Sequence, residues 1–420
     1  MPSLVDIARK LDDLAAAVRI GSRSVFSLDT NQVPADWNHI TKIDPEVGKD
    51  LPLLFSLYLQ HSSASEVGGS RDVTGERAEE TFELVADRPI PAFQEPSAAR
   101  HVTDQTQEMA TFLAIPEVVN GDAEAMVGTL GEGIEYVKTD LGPQMLEEKL
   151  PISLGSVEDR LTDFAASWLL RDAVFEAYII MNLDSAAARE GNVTEDRLLD
   201  PPQARQRAMA VEHYLESEII YLEYSGRFGG EEAAELLETI DDAVTWPRIW
   251  YGGGLDDREN AQAMLDAGAD AVVVGNIFHE IAHEEREYCE AIAAELDSDV
   301  GESAVEEWVD ENVDLAESSA ASYLATIPDV SDPARLARKY VVATLQTYLE
   351  LVGVRDRLED PSDVSDVESA VDASNPVPGL DHVRPVLDDE SFHRDLIVAL
   401  LADSADLSPD VPVSHFSLGI

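Results

Sequence analysis

The chain has 420 residues, 45% of them hydrophobic, which is enough for a barrel-sized domain of about 250 residues plus additions. Its 84 acidic against 29 basic residues give a formal charge of −55 with only six lysines, a balance that argues against nucleic acid as a partner. The single Cys289 excludes an internal disulfide, and no apolar run reaches the roughly 18 residues of a membrane span.

The acids are interleaved with apolar residues at structural spacing and do not lie in long blocks, so the chain reads as folded and not as a disordered acidic tail. Self-repulsion on this scale is tolerable where salt screens it to about 3 Å, as at 1 M. The sequence therefore predicts a halophilic protein that low salt unfolds. With no signal-peptide pattern at the N-terminus, it also predicts a cytoplasmic location.

Residues 1–36 read as an amphipathic helix, with Leu4, Ile7, Leu11 and Leu14 on one face, and a linker. The first strand is Trp37 to Pro45. Lys42 and Asp44, two residues apart, point to the same side near its C-terminal end. They are either an ion pair sealing a barrel top, or an anion-binding ammonium beside a carboxylate that can hold Mg²⁺.

Glu66 to Ser70, with Gly68 and Gly69, ends a second strand although His61 to Ser65 is polar. Arg88 to Phe93 and Phe112 to Pro116 make the third and fourth strands. More chain than one β/α step needs follows, with helices at Met126 to Val137 and Leu161 to Phe175, so a helical insertion is expected at about 138–170.

Tyr178 to Asn182 is the fifth strand and Pro202 to Leu215 a helix. In the sixth strand, Ile219 to Gly226, Tyr221, Glu223 and Ser225 alternate onto one face. An inward glutamate is costly without a partner, so Glu223 is a candidate general base or a ligand for substrate hydroxyls.

Arg248 to Tyr251, the loop Gly252 to Gly254, a helix capped by Asp256 or Asp257, Ala271 to Val274 and the loop Gly275-Asn276 follow in order. This is strand, glycine loop, helix, strand, glycine loop. Two such loops on consecutive parallel strands lie at one end of a sheet, and in a (β/α)8 barrel the last two loops form the usual phosphate site.

Residues 285–420 read as an acidic helical extension. Asp332-Pro333 starts a helix with an apolar stripe through Tyr340, Leu345 and Leu349, Asp360 to Pro378 is a linker, and Ser391 to Ala402 a last helix. His279 and His283 read as a helix-surface pair without metal spacing, and Cys289 as a quiet helical cysteine.

His39 to Pro45, Val67-Gly-Gly-Ser70, Tyr221-Leu-Glu-Tyr-Ser-Gly226, Tyr251-Gly-Gly-Gly254 and Val274-Gly-Asn276 together resemble the geranylgeranylglyceryl phosphate synthases and the related heptaprenylglyceryl phosphate synthases. Gln94-Glu95-Pro96 is similar to the salt-loving archaeal members. The resemblance covers roughly residues 37–280.

It implies an α/β fold, a modified TIM (β/α)8 barrel at 37–284, carrying the N-terminal helix, the insertion and the C-terminal extension. It implies a prenyltransferase that joins sn-glycerol 1-phosphate to a polyprenyl diphosphate, geranylgeranyl diphosphate in the salt-loving members, with release of diphosphate. This is the first ether bond of archaeal membrane lipids.

By resemblance Asp44 and Ser70 hold Mg²⁺ and Lys42 contacts the glycerol phosphate. Tyr221, Leu222, Glu223, Tyr224, Ser225, Gly226, Gly253, Gly254, Gly275 and Asn276 complete the glycerol phosphate site. Lys42, Asp44 and Glu223 are the expected catalytic residues, acting from loops opposite the glycine loops. Transient contact with a membrane surface and a homo-oligomer are compatible with this reading. The competing readings are a phosphate-binding barrel isomerase or lyase, and a non-catalytic binding protein.

Overall fold

The computed structural model describes residues 28–69, 73–143, 158–358 and 361–419, with isolated positions before residue 28. Most of the expected N-terminal helix lies outside these residues, as do Ser70 and positions 144–157 of the insertion.

Eight parallel strands run in the order β3-β2-β1-β8-β7-β6-β5-β4. They are β1 (His39–Ile43), β2 (Ala64–Val67), β3 (Ala92–Gln94), β4 (Ala114–Val118), β5 (Val174–Ile180), β6 (Ile219–Glu223), β7 (Arg248–Gly252) and β8 (Ala271–Val274). Between β3 and β4 the barrel closes through one parallel bridge, Gln94 to Leu113, with Thr111 N–H donating to Ala92 C=O at 2.8 Å. The α/β barrel expected from the sequence is the observed fold.

The connections carry α1 (Phe55–Leu59), α2 (Gly75–Val85), α3 (Asp104–Met109), α4 (Thr129–Tyr136), α5 (Glu158–Asp172), α6 (Ala186–Glu190), α7 (Pro201–Ala210), α8 (Gly230–Asp241), α9 (Arg258–Asp266) and α10 (Asn276–Glu295). Asp257 is the cap of α9, accepting from the Asn260 N–H at 2.7 Å. The insertion helix ends at Asp172, and Phe175, expected within it, belongs to β5. Val174, Ala177 and Ile179 are buried there at strand positions, so burial on both faces of the sheet overrides the helical reading.

Alternation along the strands sorts two cores. Ile40, Phe93, Ile219 and Trp250 point into the barrel, while Ile43, Val67, Ile220 and Tyr251 meet the surrounding helices.

The C-terminal region adds α11 (Glu302–Asn312), α12 (Ser319–Thr326), α13 (Pro333–Arg355), α14 (Val364–Ala373), α15 (Leu380–Val383) and α16 (Glu390–Ser404). Asp332 caps α13 as expected, through the Arg335 N–H at 3.2 Å. The stretch read as a linker holds α14, because Val367 and Val371 are fully buried and Asp363 caps the helix.

These helices share one continuous core with the barrel's outer face, where Tyr323, Tyr340 and Leu345 join Leu57 and Phe278. They also satisfy polar groups that β1 turns outward. His39 Nε2 lies 3.0 Å from Thr326 Oγ1, and Thr41 Oγ1 lies 2.7 Å from Tyr323 Oη. With Ser62, which lies 2.9 Å from His39 Nδ1 and 2.6 Å from Thr41 Oγ1, these contacts leave neither buried side chain without a partner.

Among the described residues no helix is long and apolar enough to cross a membrane.

Candidate functional site

A cavity of about 1220 Å³ opens at the C-terminal ends of the strands. Lys42, Asp44, Tyr221, Glu223, Ser225, Gly226, Gly253, Gly254, Gly275 and Asn276 all line it. Leu222 and Tyr224 do not; they fall at the outward positions of the strand alternation and pack in the outer core. β1 pairs directly with β8, so Lys42 and Asp44 stand beside the second glycine loop and not across from it. A Cβ on Gly275 would touch the Lys42 side chain at 3.5 Å.

The glycine loop after β7 is fixed by close approach. A Cβ on Gly252 would lie 1.8 Å from Tyr221 Oη, so the phenol of Tyr221 reaches over β7 only because that position has no side chain. Gly253 has φ +151 and its Cβ would meet the Tyr224 backbone at 2.7 Å, while Gly254 has φ +55. The loops after β6 and β7 are thus packed backbone to backbone. At the neighbouring loop, Gly275 precedes α10 without a side-chain cap, so the helix N-terminus faces the cavity with unsatisfied N–H groups. Lys49 Nζ donates to Asn276 Oδ1 at 3.3 Å and brings a cation to the same end.

Below the rim the barrel interior is unusually ionisable. Lys42 Nζ lies 2.6 Å from Glu66 Oε1 on β2 and 2.6 Å from Glu95 Oε2 just after β3. Burial opposes the ammonium, but the two carboxyls raise its pKa well above the ordinary lysine value. Lys42 is thus ion-paired, with Glu66 and Glu95 and not with Asp44 as partners.

Burial pushes Glu66 up to about 8, whereas in Glu95 the Lys42 charge overcomes burial and holds the carboxyl below its usual range. As a carboxylate, Glu66 would leave both oxygens without a donor of good geometry; as the acid it donates to Glu95. Glu176 on β5 is fully buried with neither oxygen partnered, and burial raises it well above the ordinary glutamate value. The layer thus holds one ammonium, one carboxylate and two acids that burial drives toward the neutral form, of which Glu176 has no hydrogen-bond partner among the described residues.

Tyr178 on β5 donates to Glu95 Oε1 at 2.9 Å and meets Tyr221 edge to face, with ring centroids 4.7 Å apart. One step higher, Glu223 accepts from the Ser225 N–H at 3.2 Å, and burial raises its carboxyl.

Asp44 is held through its backbone. Its N–H donates to His279 Nε2 at 3.1 Å, and His279 Nδ1 lies 3.1 Å from the Asp50 carbonyl. Neutral His279, protonated on Nδ1, satisfies both contacts, and burial lowers its pKa accordingly. His279 is therefore buried against β1, contrary to the surface-pair reading, because it falls on the barrel-facing side of α10. His283, one turn later, is exposed beside Glu287. Cys289 lies on α10, as expected of a helical cysteine, and is buried.

Sequence reasoning assigned no role to Glu66, Glu176 and Tyr178, and placed His279 on the surface. For the first three the signal was present in the period of two: Glu176, Tyr178 and Ile180 alternate inward, as do Ala64 and Glu66. For His279 the sequence carries no such signal, because its partners are backbone atoms of a distant loop.

The PcrB family profile matches residues 32–295. The geranylgeranylglyceryl phosphate synthase of Halobacterium salinarum is 30% identical over 249 residues, 59% of this chain and 89% of that protein. The Natronomonas pharaonis protein of the same name is also 30% identical, over 59% of this chain and 90% of its own length. Among solved structures, (S)-3-O-geranylgeranylglyceryl phosphate synthase of Thermoplasma acidophilum, in complex with sn-glycerol-1-phosphate, is 18% identical with a TM-score of 0.42, covering 66% of this chain and 92% of that one. Wild-type GGGPS of Thermoplasma volcanium is 19% identical with a TM-score of 0.41, covering 57% and 84%. The family match includes every strand of the barrel and the whole lined cavity, and ends at the last residue of α10: this chain belongs to the PcrB family.

Proposed function

We propose that the protein is a prenyltransferase that joins sn-glycerol 1-phosphate to geranylgeranyl diphosphate, giving geranylgeranylglyceryl phosphate and diphosphate. One observation carries the reading: a single cavity brings the α10 N-terminus and its glycine loop together with inward Glu223, Lys42 and Asp44. The named relatives from two salt-loving archaea support the substrates.

In this reading the N–H groups at Gly253, Gly254, Gly275 and Asn276 hold the phosphate of the acceptor, which does not react. Glu223 orients the acceptor hydroxyl and takes its proton, a role suited to a carboxyl that burial makes more basic than an ordinary glutamate. Lys42 has three N–H groups. One is donated to Glu95, and the contact with Glu66 is an ion pair, so donor capacity remains for the substrate while most of its charge is already offset.

Asp44 fits a divalent cation. Its carboxylate faces the cavity and accepts no hydrogen bond among the described residues, and Mg²⁺ commonly uses one or two carboxylates plus substrate phosphate oxygens. Among those residues no group of three or more acidic, histidine or cysteine side chains could hold a metal alone, so such an ion would depend on the donor's diphosphate. Bound there, Mg²⁺ would offset negative charge on the departing diphosphate.

The test is turnover in molar KCl with Mg²⁺, sn-glycerol 1-phosphate and C15, C20 or longer prenyl diphosphates, following the lipid product. The reading expects an ether product, fastest with C20, and loss of turnover in Asp44→Asn. No ether product from any donor sinks it.

A further inference from the structure

We propose that the C-terminal tail, residues 411–419, is a positioning element of the active site, with His415 as its pin: it fixes the loop after β1 that carries Asp44. This rests on the prenyltransferase reading and adds to it a segment beyond residues 32–295, the part of the chain that the family profile matches.

One peptide group joins tail and site. The Asp50 C=O faces His279 Nδ1 at 3.1 Å, and the N–H of that same peptide, on Leu51, donates to the His415 C=O at 2.8 Å. Held at both ends, the peptide plane resists turning over. Its orientation matters to Asp44 because it selects the tautomer of His279. Facing a carbonyl, Nδ1 keeps the proton, and Nε2 is left to accept from the Asp44 N–H at 3.1 Å. With the peptide reversed, Nδ1 would meet an N–H, the proton would move to Nε2, and the Asp44 N–H would lose its acceptor.

The tail is itself anchored on three sides. Val411, Val413 and Phe416 pack on the outer core, and the Phe416 ring lies 6.4 Å from that of Phe55 at the start of α1. Tyr348 on α13 donates to the Gly419 C=O at 2.8 Å. The third side is α2. There Arg77 donates to Nδ1 of the buried His415 at 3.4 Å, so the ring proton is on Nε2, 3.4 Å from Thr81 Oγ1. Burial and the Arg77 charge push His415 down to about 3, so the ring is neutral and its 3.6 Å approach to Glu80 is not an ion pair. Ser414 Oγ donates to Glu80 at 2.8 Å and accepts from Arg77, and the same guanidinium donates to the Glu46 C=O at 3.4 Å. The loop is thus held at Glu46 through Arg77 and at Leu51 through the tail, and its residues Asp44, Glu46 and Lys49 all line the cavity.

The experiment compares His415→Leu, His415→Asn and Val371→Ala in the full chain at molar KCl. Leucine removes both ring contacts, and asparagine keeps an oxygen near the place of Nδ1 for Arg77. Val371 is buried in α14, which packs on α16, and its truncation controls for loss of stability alone. Loss of one buried hydrogen bond corresponds to a factor of about ten. In the chain without substrate or metal, amide hydrogen exchange over residues 44–54 should therefore quicken about tenfold in His415→Leu while α13 keeps its rate. In turnover, the Mg²⁺ concentration for half-maximal rate should rise about tenfold. KM for sn-glycerol 1-phosphate should stay within about threefold, because the glycine loops are braced by Tyr224 and Lys42 and not by the tail. His415→Asn should restore most of both losses, and Val371→Ala should leave both readouts unchanged. Ser414→Ala, at an exposed position, makes the same test should His415→Leu not fold, with shifts of about twofold in the same direction.

Unchanged exchange over residues 44–54 overturns the inference, and so does faster exchange with an unchanged Mg²⁺ requirement. An equal change in Val371→Ala or in His415→Asn overturns it as well. If the unsubstituted chain makes no ether product from any donor, the prenyltransferase reading fails, and the exchange measurement, which needs no substrate, still decides whether the tail holds the loop.

Discussion

Glu66→Gln should make the protein more stable at neutral pH, by an amount that grows with pH. The carboxyl is fully buried, its folded pKa is about 8, and its ordinary value is 4.5. Below pH 4.5 it is protonated both folded and unfolded, and contributes no difference. As pH rises the unfolded chain loses this proton and the folded chain keeps it, so unfolding becomes easier by about 1.4 kcal/mol per pH unit until the folded carboxyl ionises near 8. At pH 7 the accumulated cost is roughly 3 kcal/mol. Glutamine carries no such cost, and its oxygen can accept from Lys42 while its amide donates to Glu95. Urea unfolding of both proteins in molar KCl, from pH 5 to 8.5, gives the difference directly. It should increase toward pH 8 and then level off. A difference that is flat across this range would mean that Glu66 is ionised in the folded protein and would refute the neutral-acid account of the barrel interior.

Other perturbations test other parts of the site. His279→Leu orphans the buried Asp44 N–H and should cost about 1–3 kcal/mol in chemical denaturation, while His283→Ala, exposed on the same helix, should change stability by less than about 0.5 kcal/mol. Gly252→Ala places a Cβ 1.8 Å from Tyr221 Oη and must displace that ring; prenyl transfer should fall at least about tenfold while the thermal midpoint moves little, and wild-type rates would contradict the packing argument. Lowering KCl from molar to about 0.1 M lengthens the screening distance from about 3 to about 10 Å, so the thermal midpoint should drop steeply for a chain of charge −55, and a midpoint independent of salt would remove the case for a halophilic protein.

The barrel and the rim of its cavity were legible because they depend on short-range rules. Alternation in Ile219 to Glu223 puts Tyr221 and Glu223 inside, and glycines after β7 and β8 mark where backbone must approach backbone. Both follow from strand period and Cβ sterics. The interior charge layer was harder to read. Glu66 follows a polar stretch that weakens the second strand, and its partner Glu95 lies just beyond another strand, so nothing local announces that they share a lysine. His279 was misread for the same reason, since its environment is set by Asp44 and Asp50, more than 200 residues earlier. The C-terminal helices were read as helices, but their role against β1 rests on contacts such as Thr41 with Tyr323, which no pattern within either segment reveals. The expected linker failed because Pro, Ser and Asp suit helix caps as well as disorder, and Asp363 is such a cap.

The central claim is that one cavity holds an unreactive phosphate while a diphosphate leaves. A single ³¹P NMR time course tests it most directly, with sn-glycerol 1-phosphate, geranylgeranyl diphosphate, Mg²⁺ and the full chain in molar KCl. The account predicts that the donor's two resonances give way to free diphosphate, while the acceptor's phosphomonoester signal shifts into one product of equal amount. Loss of the phosphomonoester, or diphosphate release without a new phosphomonoester product, would contradict it.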